Sequence, residues 1–346
     1  MLSNASHNVS AAEGLVENCY QTYVVRIPTK SYIINSVVGC VVNGILAVLG
    51  TFLNTLVVCV FWKRSSLRQK VSYFMIMVLS FIDLCTTVIV HPFYLVNSIA
   101  EVTETSKCFY KMFYQTSAVM LSGMSYLTFF VMNIERYLAI AYPFFHKVHV
   151  TKRRCLLSSF LLWLVCVVTG IAPIFNLDIQ IFVTVLALIV LIGTLFIYIS
   201  IYNIARKQKY LHREGTISQE DLAGTEPQGP QPARKAVSLR NDLVLAKMYF
   251  IVVACSFLLN LPNAIVLVLY TDRVKTLDAV VQMKIWTLTL VAMNSTANCL
   301  IFFWANKLLR NEGWKICKRL LNRWSWTQDH IDITMRKKRG FKPKYD

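Results

Sequence analysis

Asp83 stands in the middle of an apolar run, Leu79-Ser80-Phe81-Ile82-Asp83-Leu84, where a carboxylate without a partner is driven to take up a proton. Residue types that can keep it company recur in other apolar runs: Asn54, Ser125, Asn294, Ser295 and Asn298, with 294 and 298 one helical turn apart on a single face. A carboxylate, hydroxyls and amide oxygens are the hard oxygen donors a small cation requires; the same groups can also satisfy one another as a hydrogen-bonded knot without an ion. A second charged constellation, Glu135-Arg136-Tyr137, closes an apolar stretch that begins near Met112 and leads into Leu138-Ala139-Ile140-Ala141-Tyr142-Pro143. There Arg136 can pair with its own neighbour. The six histidines are scattered, and the sequence has no HExxH, CxxC or nucleophile-elbow pattern, so nothing in it marks an enzyme.

Such groups need elements of membrane length to hold them. The 346 residues are 55% hydrophobic and 16% charged, more apolar than a soluble globular chain needs to be. Seven runs reach the roughly 20 apolar residues that a helix needs to cross the hydrocarbon core: 34–62, 71–97, 110–141, 155–176, 179–204, 244–270 and 283–306. The expected fold is an all-α membrane protein, a seven-transmembrane helix bundle with a short amphipathic helix after the seventh run. An odd count puts the termini on opposite sides. Of the 36 lysines and arginines, only Arg26, Lys30, Lys107, Lys111, Arg273, Lys275 and Lys284 lie at or near the side of the N-terminus. The other 29 mark the opposite side as cytoplasmic, which places the N-terminus outside. The net charge of +18 is concentrated in 63–70, 147–154, 206–213 and the tail, the pattern of cytoplasmic membrane loops rather than of a nucleic-acid surface.

On this partition residues 1–33 are an extracellular segment without a signal-peptide core, and the first run serves as an uncleaved signal anchor. Asn4 and Asn8 head two glycosylation sequons there. Of ten cysteines, only Cys19 and Cys108 fall outside the membrane on the oxidising face; if that face carries a disulfide they are its only partners, and the alternative is two free thiols. Residues 34–306 form the bundle. The cytoplasmic loop 208–241, rich in Gly, Pro, Gln and Glu, reads as disordered. Residues 307–322 form the amphipathic cytoplasmic helix, with Cys317 either a palmitoylation site or a structural cysteine, and 323–346 form a basic tail.

With its proline-led basic loop, Glu135-Arg136-Tyr137 resembles the cytoplasmic end of the third helix of rhodopsin-like (class A) G-protein-coupled receptors. Trp163, Pro92, Pro143 and Pro173 also stand at that family's places, and the likeness covers about residues 34–322. The resemblance implies a multi-pass plasma-membrane receptor surrounded by membrane lipids. It would convert binding of an unidentified small-molecule, lipid or peptide ligand into heterotrimeric G-protein activation, through outward movement of the sixth helix. Residue by residue it implies an allosteric sodium ion at Asp83, Ser125, Asn294, Ser295 and Asn298, with no organic cofactor. The coupling switch falls on Glu135, Arg136, Tyr137, Tyr198, Asp242, Asn298 and Phe302, an Arg136–Asp242 bridge holding the third and sixth helices closed. Helix packing falls on Asn54, Trp163 and Pro262. The ligand pocket falls on Tyr94, Tyr114, Gln115, Ala118 and Ser122, and on Phe182, Asn263, Leu267, Lys284 and Leu288. Arrestin is weakly indicated, because the tail offers only Ser325, Thr327 and Thr334 as phosphate acceptors.

The chain also departs from that family. Asn298-Cys299-Leu300-Ile301-Phe302 stands in place of Asn-Pro-x-x-Tyr, and Leu259-Asn260-Leu261-Pro262, with Ser256 upstream, in place of Cys-Trp-x-Pro and its phenylalanine. Val190 replaces the fifth-helix proline, and Lys111 takes the place of the third-helix cysteine, which is displaced to Cys108. The missing proline and the very short loop 176–178 are similar to the melanocortin, adenosine and cannabinoid-type branch, without the acidic ligand cluster of melanocortin receptors. Ala118 stands where aminergic receptors carry an aspartate, which argues against an amine. The altered switches leave one alternative, a seven-helix receptor-like protein with weak or no G-protein coupling, such as a scavenger or dimerisation partner.

Overall fold

The computed structural model describes residues 16–19, 22–175, 177, 180–220, 247–263, 265–266 and 277–338. A short antiparallel hairpin, β1 (Val16–Cys19) and β2 (Thr22–Val25), precedes the helices, with Cys19 opposite Thr22 at the turn. The Thr29 hydroxyl then accepts the amide of Tyr32 and so caps α1 (Lys30–Lys63), satisfying an amide that a helix N-terminus leaves open. There follow α2 (Ser65–Gln69), α3 (Val71–Val102), α4 (Cys108–Ala141), α5 (Pro143–His149), and α6 (Lys152–Ile171), which ends in a 3-10 turn, Ala172–Phe175. Then come α7 (Gln180–Glu220), α8 (Lys247–Asn263), α9 (Leu277–Ala305) and α10 (Lys307–Lys338).

Among the described residues six helices are long and apolar enough to cross a membrane: α1, α3, α4, α6 with its turn, and parts of α7 and α9. The shorter apolar helix α8 completes a seven-helix membrane bundle. The outward faces agree: Val48, Val168, Ile192 and Phe196 are about two-thirds exposed, which is stable only if hydrocarbon, not water, surrounds them. α4 packs against α3, α6, α7 and α9, and α1 against α3 and α9. One buried apolar cluster fills the half of the bundle nearest α10, with Phe61, Met75, Leu79, Met132, Tyr249 and Phe302. A second cluster, Val25, Tyr32, Val90, Tyr94, Tyr114 and Ile285, fills the hairpin half.

Two helices outrun the expected boundaries. α7 continues to Glu220, into the stretch expected to be disordered from 208. Its continuation is rich in Arg, Lys, Gln and Glu, which favour helix, and the first proline comes only at Pro227. α10 runs to Lys338 instead of ending at 322, and the stop signals Gly340 and Pro343 lie beyond it. Asn306 separates α9 from α10: its side-chain oxygen accepts the Leu309 amide at 3.1 Å and caps the new helix.

Candidate functional site

Three helices bring their polar residues together at mid-bundle. Asp83 on α3 is fully buried; Ser125 Oγ of α4 donates to its Oδ1 at 2.7 Å, and Asn298 Nδ2 of α9 donates to its Oδ2 at 2.9 Å. The Asn298 Oδ1 is buried and has no hydrogen-bond partner among the described residues. Asn54 on α1 donates to the carbonyls of Gly50 and Ser295 and accepts from the Cys299 thiol at 2.7 Å. Asn294 and Ser295 are turned elsewhere. Asn294 accepts from Ser256 Oγ of α8 at 2.7 Å, and Ser295 Oγ donates to the Ala292 carbonyl. The group around the carboxylate is therefore Asp83, Ser125 and Asn298, and Asn54 is bonded to Cys299, the next residue after Asn298. Gly50 permits the close packing behind it, since a Cβ there would run into Thr87 and Thr296.

The second site lies at the bundle end nearest α10. Arg136 is 3% exposed and Glu135 2%. The guanidinium grips Glu135 with two nitrogens, Nε on Oε2 at 2.7 Å and Nη2 on Oε1 at 2.6 Å. That two-pronged form is the strongest pairing available to an arginine. Arg136 Nη2 also donates to Ser72 Oγ of α3, which in turn donates to Glu135 Oε1 at 3.1 Å. His146 Nε2 of α5 lies 2.8 Å from the same oxygen. Over this knot Tyr249 of α8 is fully buried, its hydroxyl 3.4 Å from the Ser72 carbonyl and its ring edge-on to Phe129. Tyr198 of α7 donates to Asn133 Oδ1, one turn before Arg136. Phe302 is fully buried in the same cluster, and Tyr137 packs half-buried against Tyr142. Trp163 donates to Thr128 at 2.9 Å and fastens α6 to α4, and Pro262 lies in the last turn of α8.

Cys19 and Cys108 form a disulfide, with Cα atoms 5.5 Å apart, so the hairpin is tied to the first turn of α4. Val24 and Val25 are buried, the latter against Tyr94 and Tyr114, whose rings meet edge-on at 5.5 Å. Ala118 and Leu288 pack against that cluster, and Asn263 accepts from Thr287 at 3.2 Å. Gln115, Ser122 and Lys284 are half-buried, whereas Phe182 is 54% exposed and stands apart from the group. Cys317 is a half-buried thiol on α10. Asn4, Asn8, Asp242 and Leu267 lie outside the described residues.

Sequence reasoning missed one ionic group of equal weight. Glu101, 2% exposed near the end of α3, accepts from Tyr32 of α1 at 2.6 Å, from Asn97 at 3.2 Å and from Lys111 of α4 at 3.1 Å. The signal was present: an acid near the end of one apolar run and a lysine near the start of the next are expensive in a bilayer unless paired. His91 with Asn43, 3.0 Å apart and fully buried, follows the same rule.

Residues 53–183 match the family of the 7 transmembrane receptor (rhodopsin family). That stretch runs from within α1 through α3, α4 and α6 to the start of α7, and it contains Asp83, Ser125, Glu135 and Arg136. The chain is similar to the alpha-1A adrenergic receptor of Oryzias latipes, 29% identical over 159 residues, which is 46% of this chain and 33% of that receptor. It is also similar to olfactory receptor 8G17 of Mus musculus, 29% identical over 138 residues, which is 37% of this chain and 42% of that receptor. The matches thus span less than half of either relative. Both relatives are receptors, and the chain itself is a multi-pass membrane protein.

Proposed function

We propose that this chain is a rhodopsin-type G-protein-coupled receptor of the plasma membrane, with its N-terminus outside and α10 in the cytoplasm. The observation that carries the reading is the buried knot of Glu135, Arg136 and Ser72, covered by Tyr249 of α8. A guanidinium held this deeply cannot meet a partner from the cytoplasm until α8 moves aside. Outward movement of α8 would uncover Arg136 and open a groove for a helix of a heterotrimeric G protein. Asp242 is assigned to the same latch as the sixth-helix partner of Arg136.

The ligand is a small molecule, lipid or peptide taken up toward Tyr94, Tyr114 and Ala118, under the hairpin. The missing fifth-helix proline and the short loop after α6 support the melanocortin, adenosine and cannabinoid-type branch within the family. The donor types of the Asp83 group suit a sodium ion: a carboxylate, the Ser125 hydroxyl beside it, and on Asn298, which bonds the carboxylate through Nδ2, a side-chain oxygen buried without a partner among the described residues. Bound there, sodium would neutralise Asp83 and hold α3, α4 and α9 together.

The test is ligand-free nucleotide exchange on a panel of heterotrimeric G proteins, comparing the native chain with Arg136→Ala in cell membranes. The expected result is exchange on at least one G protein that the substitution changes. Exchange that is indifferent to Arg136, or absent with every G protein, would favour the non-coupling receptor-like reading, which the loss of Pro and Tyr around Cys299 and Phe302 motivates.

A further inference from the structure

A groove of about 570 Å³ runs down the outside of the bundle between α1, α3 and α10, within the roughly 300–1,000 Å³ range of small-molecule sites. Its α1 wall is two adjacent rows at four-residue spacing, Ala47, Thr51, Thr55 and Cys59 beside Val48, Phe52 and Leu56. Twelve residues of helical rise make that wall about 18 Å long, a little more than half of the ~30 Å hydrocarbon thickness. Ile316 and Leu320 of α10 line it at the tail side, and Pro92 of α3 lies at its far end. The groove therefore opens at the tail-side surface and stops just beyond mid-membrane, the depth of one leaflet.

The walls offer a polar ligand almost nothing. Thr51 donates to Thr87, and the remaining lining is alkyl and aromatic apart from Thr55 and the Cys59 thiol. Charge gathers only at the mouth. Lys63 continues the Cys59 row of α1 one turn further, and Arg319 precedes the lining residue Leu320 on α10; both are exposed. The acid of this region, Glu312, is already engaged by Arg64 and Lys315, so the mouth is net positive. α10 also exposes Trp314, Leu308 and Leu321 beside these cations, as a helix lying in a membrane interface does.

We propose that this groove is a slot for one acyl chain of an anionic glycerophospholipid of the tail-side leaflet, its phosphate headgroup held by Lys63 and Arg319. The depth fits a chain from one leaflet. The apolar walls select hydrocarbon, and the charged mouth selects an anionic lipid over a zwitterionic one or a sterol. The bound lipid braces α10 against α1 and α3. This inference rests on membrane embedding alone and is independent of the receptor reading.

The full chain is placed in nanodiscs of phosphatidylcholine with and without phosphatidylserine, and alkylation of Cys59 by maleimide is followed by peptide mass spectrometry, with Cys40, farther along α1 and outside the groove, as control. Phosphatidylserine is expected to slow Cys59 several-fold and leave Cys40 unchanged. Thr55→Phe, which fills the slot from an exposed position, removes that dependence, and Lys63→Ala or Arg319→Ala each raises the phosphatidylserine required by about fivefold. Should Thr55→Phe fail to fold, Ala47→Leu takes its place. Equal rates in both lipids, or protection that survives the filled slot, overturns the proposal. Protection by cholesterol but not by phosphatidylserine overturns it in favour of a sterol site.

Discussion

At the hairpin end, Glu101 is bound by groups from three helices, whereas at the tail end Glu135 is bound first by the residue that follows it in the chain. Tyr32, Asn97 and Lys111 make the first carboxylate a joint between α1, α3 and α4, and the Cys19–Cys108 disulfide adds a covalent tie a few ångströms of chain away. The Glu135–Arg136 pair, by contrast, lies within α4; among the described residues Ser72 and His146 link it to α3 and α5. Among the described residues, α8 reaches this end through a long hydrogen bond from Tyr249 to the Ser72 carbonyl. Two equally buried glutamates thus do different work. One joins three helices, and the other neutralises a guanidinium on its own helix.

Breaking the pairs separately puts that contrast at risk. Glu101→Ala leaves Lys111 half-buried without its acid and should cost about 3–5 kcal/mol of stability, seen as a large drop in the thermal unfolding temperature in detergent. Glu135→Gln keeps the hydrogen bonds of Ser72 while removing the charge, and should cost less stability but raise ligand-free nucleotide exchange. Equal destabilisation by the two substitutions, with exchange unchanged, would show that both ends are mere structural joints. Next in size is the disulfide. Closing a loop between residues 89 apart in sequence, it should contribute about 2–4 kcal/mol. The double variant Cys19→Ser, Cys108→Ser should therefore unfold earlier, and should expose Tyr114 to footprinting reagents while leaving Glu135 protected.

The tail-end half of this contrast was legible in the sequence and the Glu101 half was not, for a physical reason. Run length gave seven spans, because a bilayer forces apolar length. The cost of a buried carboxylate made Asn54, Ser125, Asn294, Ser295 and Asn298 candidates for Asp83, of which Ser125 and Asn298 reach it. Of the disulfide and the two free thiols left open for Cys19 and Cys108, the structure has the disulfide. Side-chain direction was beyond reach: Asn294 is one turn from Asn298, yet its amide turns to Ser256 of α8. Phe182 faces outward for the same reason, since spacing alone does not fix the rotation of α7 about its axis. Helix ends in water were misjudged where charged residues with high helix propensity, as in 208–220, carry a helix past the membrane.

Asp83 lies between the two ends, and sodium can sharpen the comparison. At a concentration ten times its dissociation constant, a sodium ion bound to the folded chain should add about 1.4 kcal/mol, raising the unfolding temperature by a few degrees relative to the same ionic strength of potassium. Asp83→Asn should abolish the difference. A sodium shift that persists in Asp83→Asn would remove the ion from this site and leave the hydrogen-bonded knot as its whole role.

The smallest effect belongs to Glu312, where α10 is clasped to the end of α1. Its carboxyl is held below the ordinary value of 4.5, first by the hydrogen bond from Lys315 and then by Arg64. Because the folded value is the lower one, the charged form is favoured by folding. The stabilisation is therefore fully present above pH 4.5 and is lost as pH falls through the depressed value. An exposed clasp of this kind contributes little to global unfolding. The informative measurement is local: hydrogen exchange in the first two turns of α10 should speed up on acidification in the native chain and be pH-independent, after correction for intrinsic rates, in Glu312→Gln. If α10 instead loosens equally in both, its attachment to α1 depends on Leu309 and Ile316 packing alone, and the tail end is held by apolar contact where the hairpin end is held by charge.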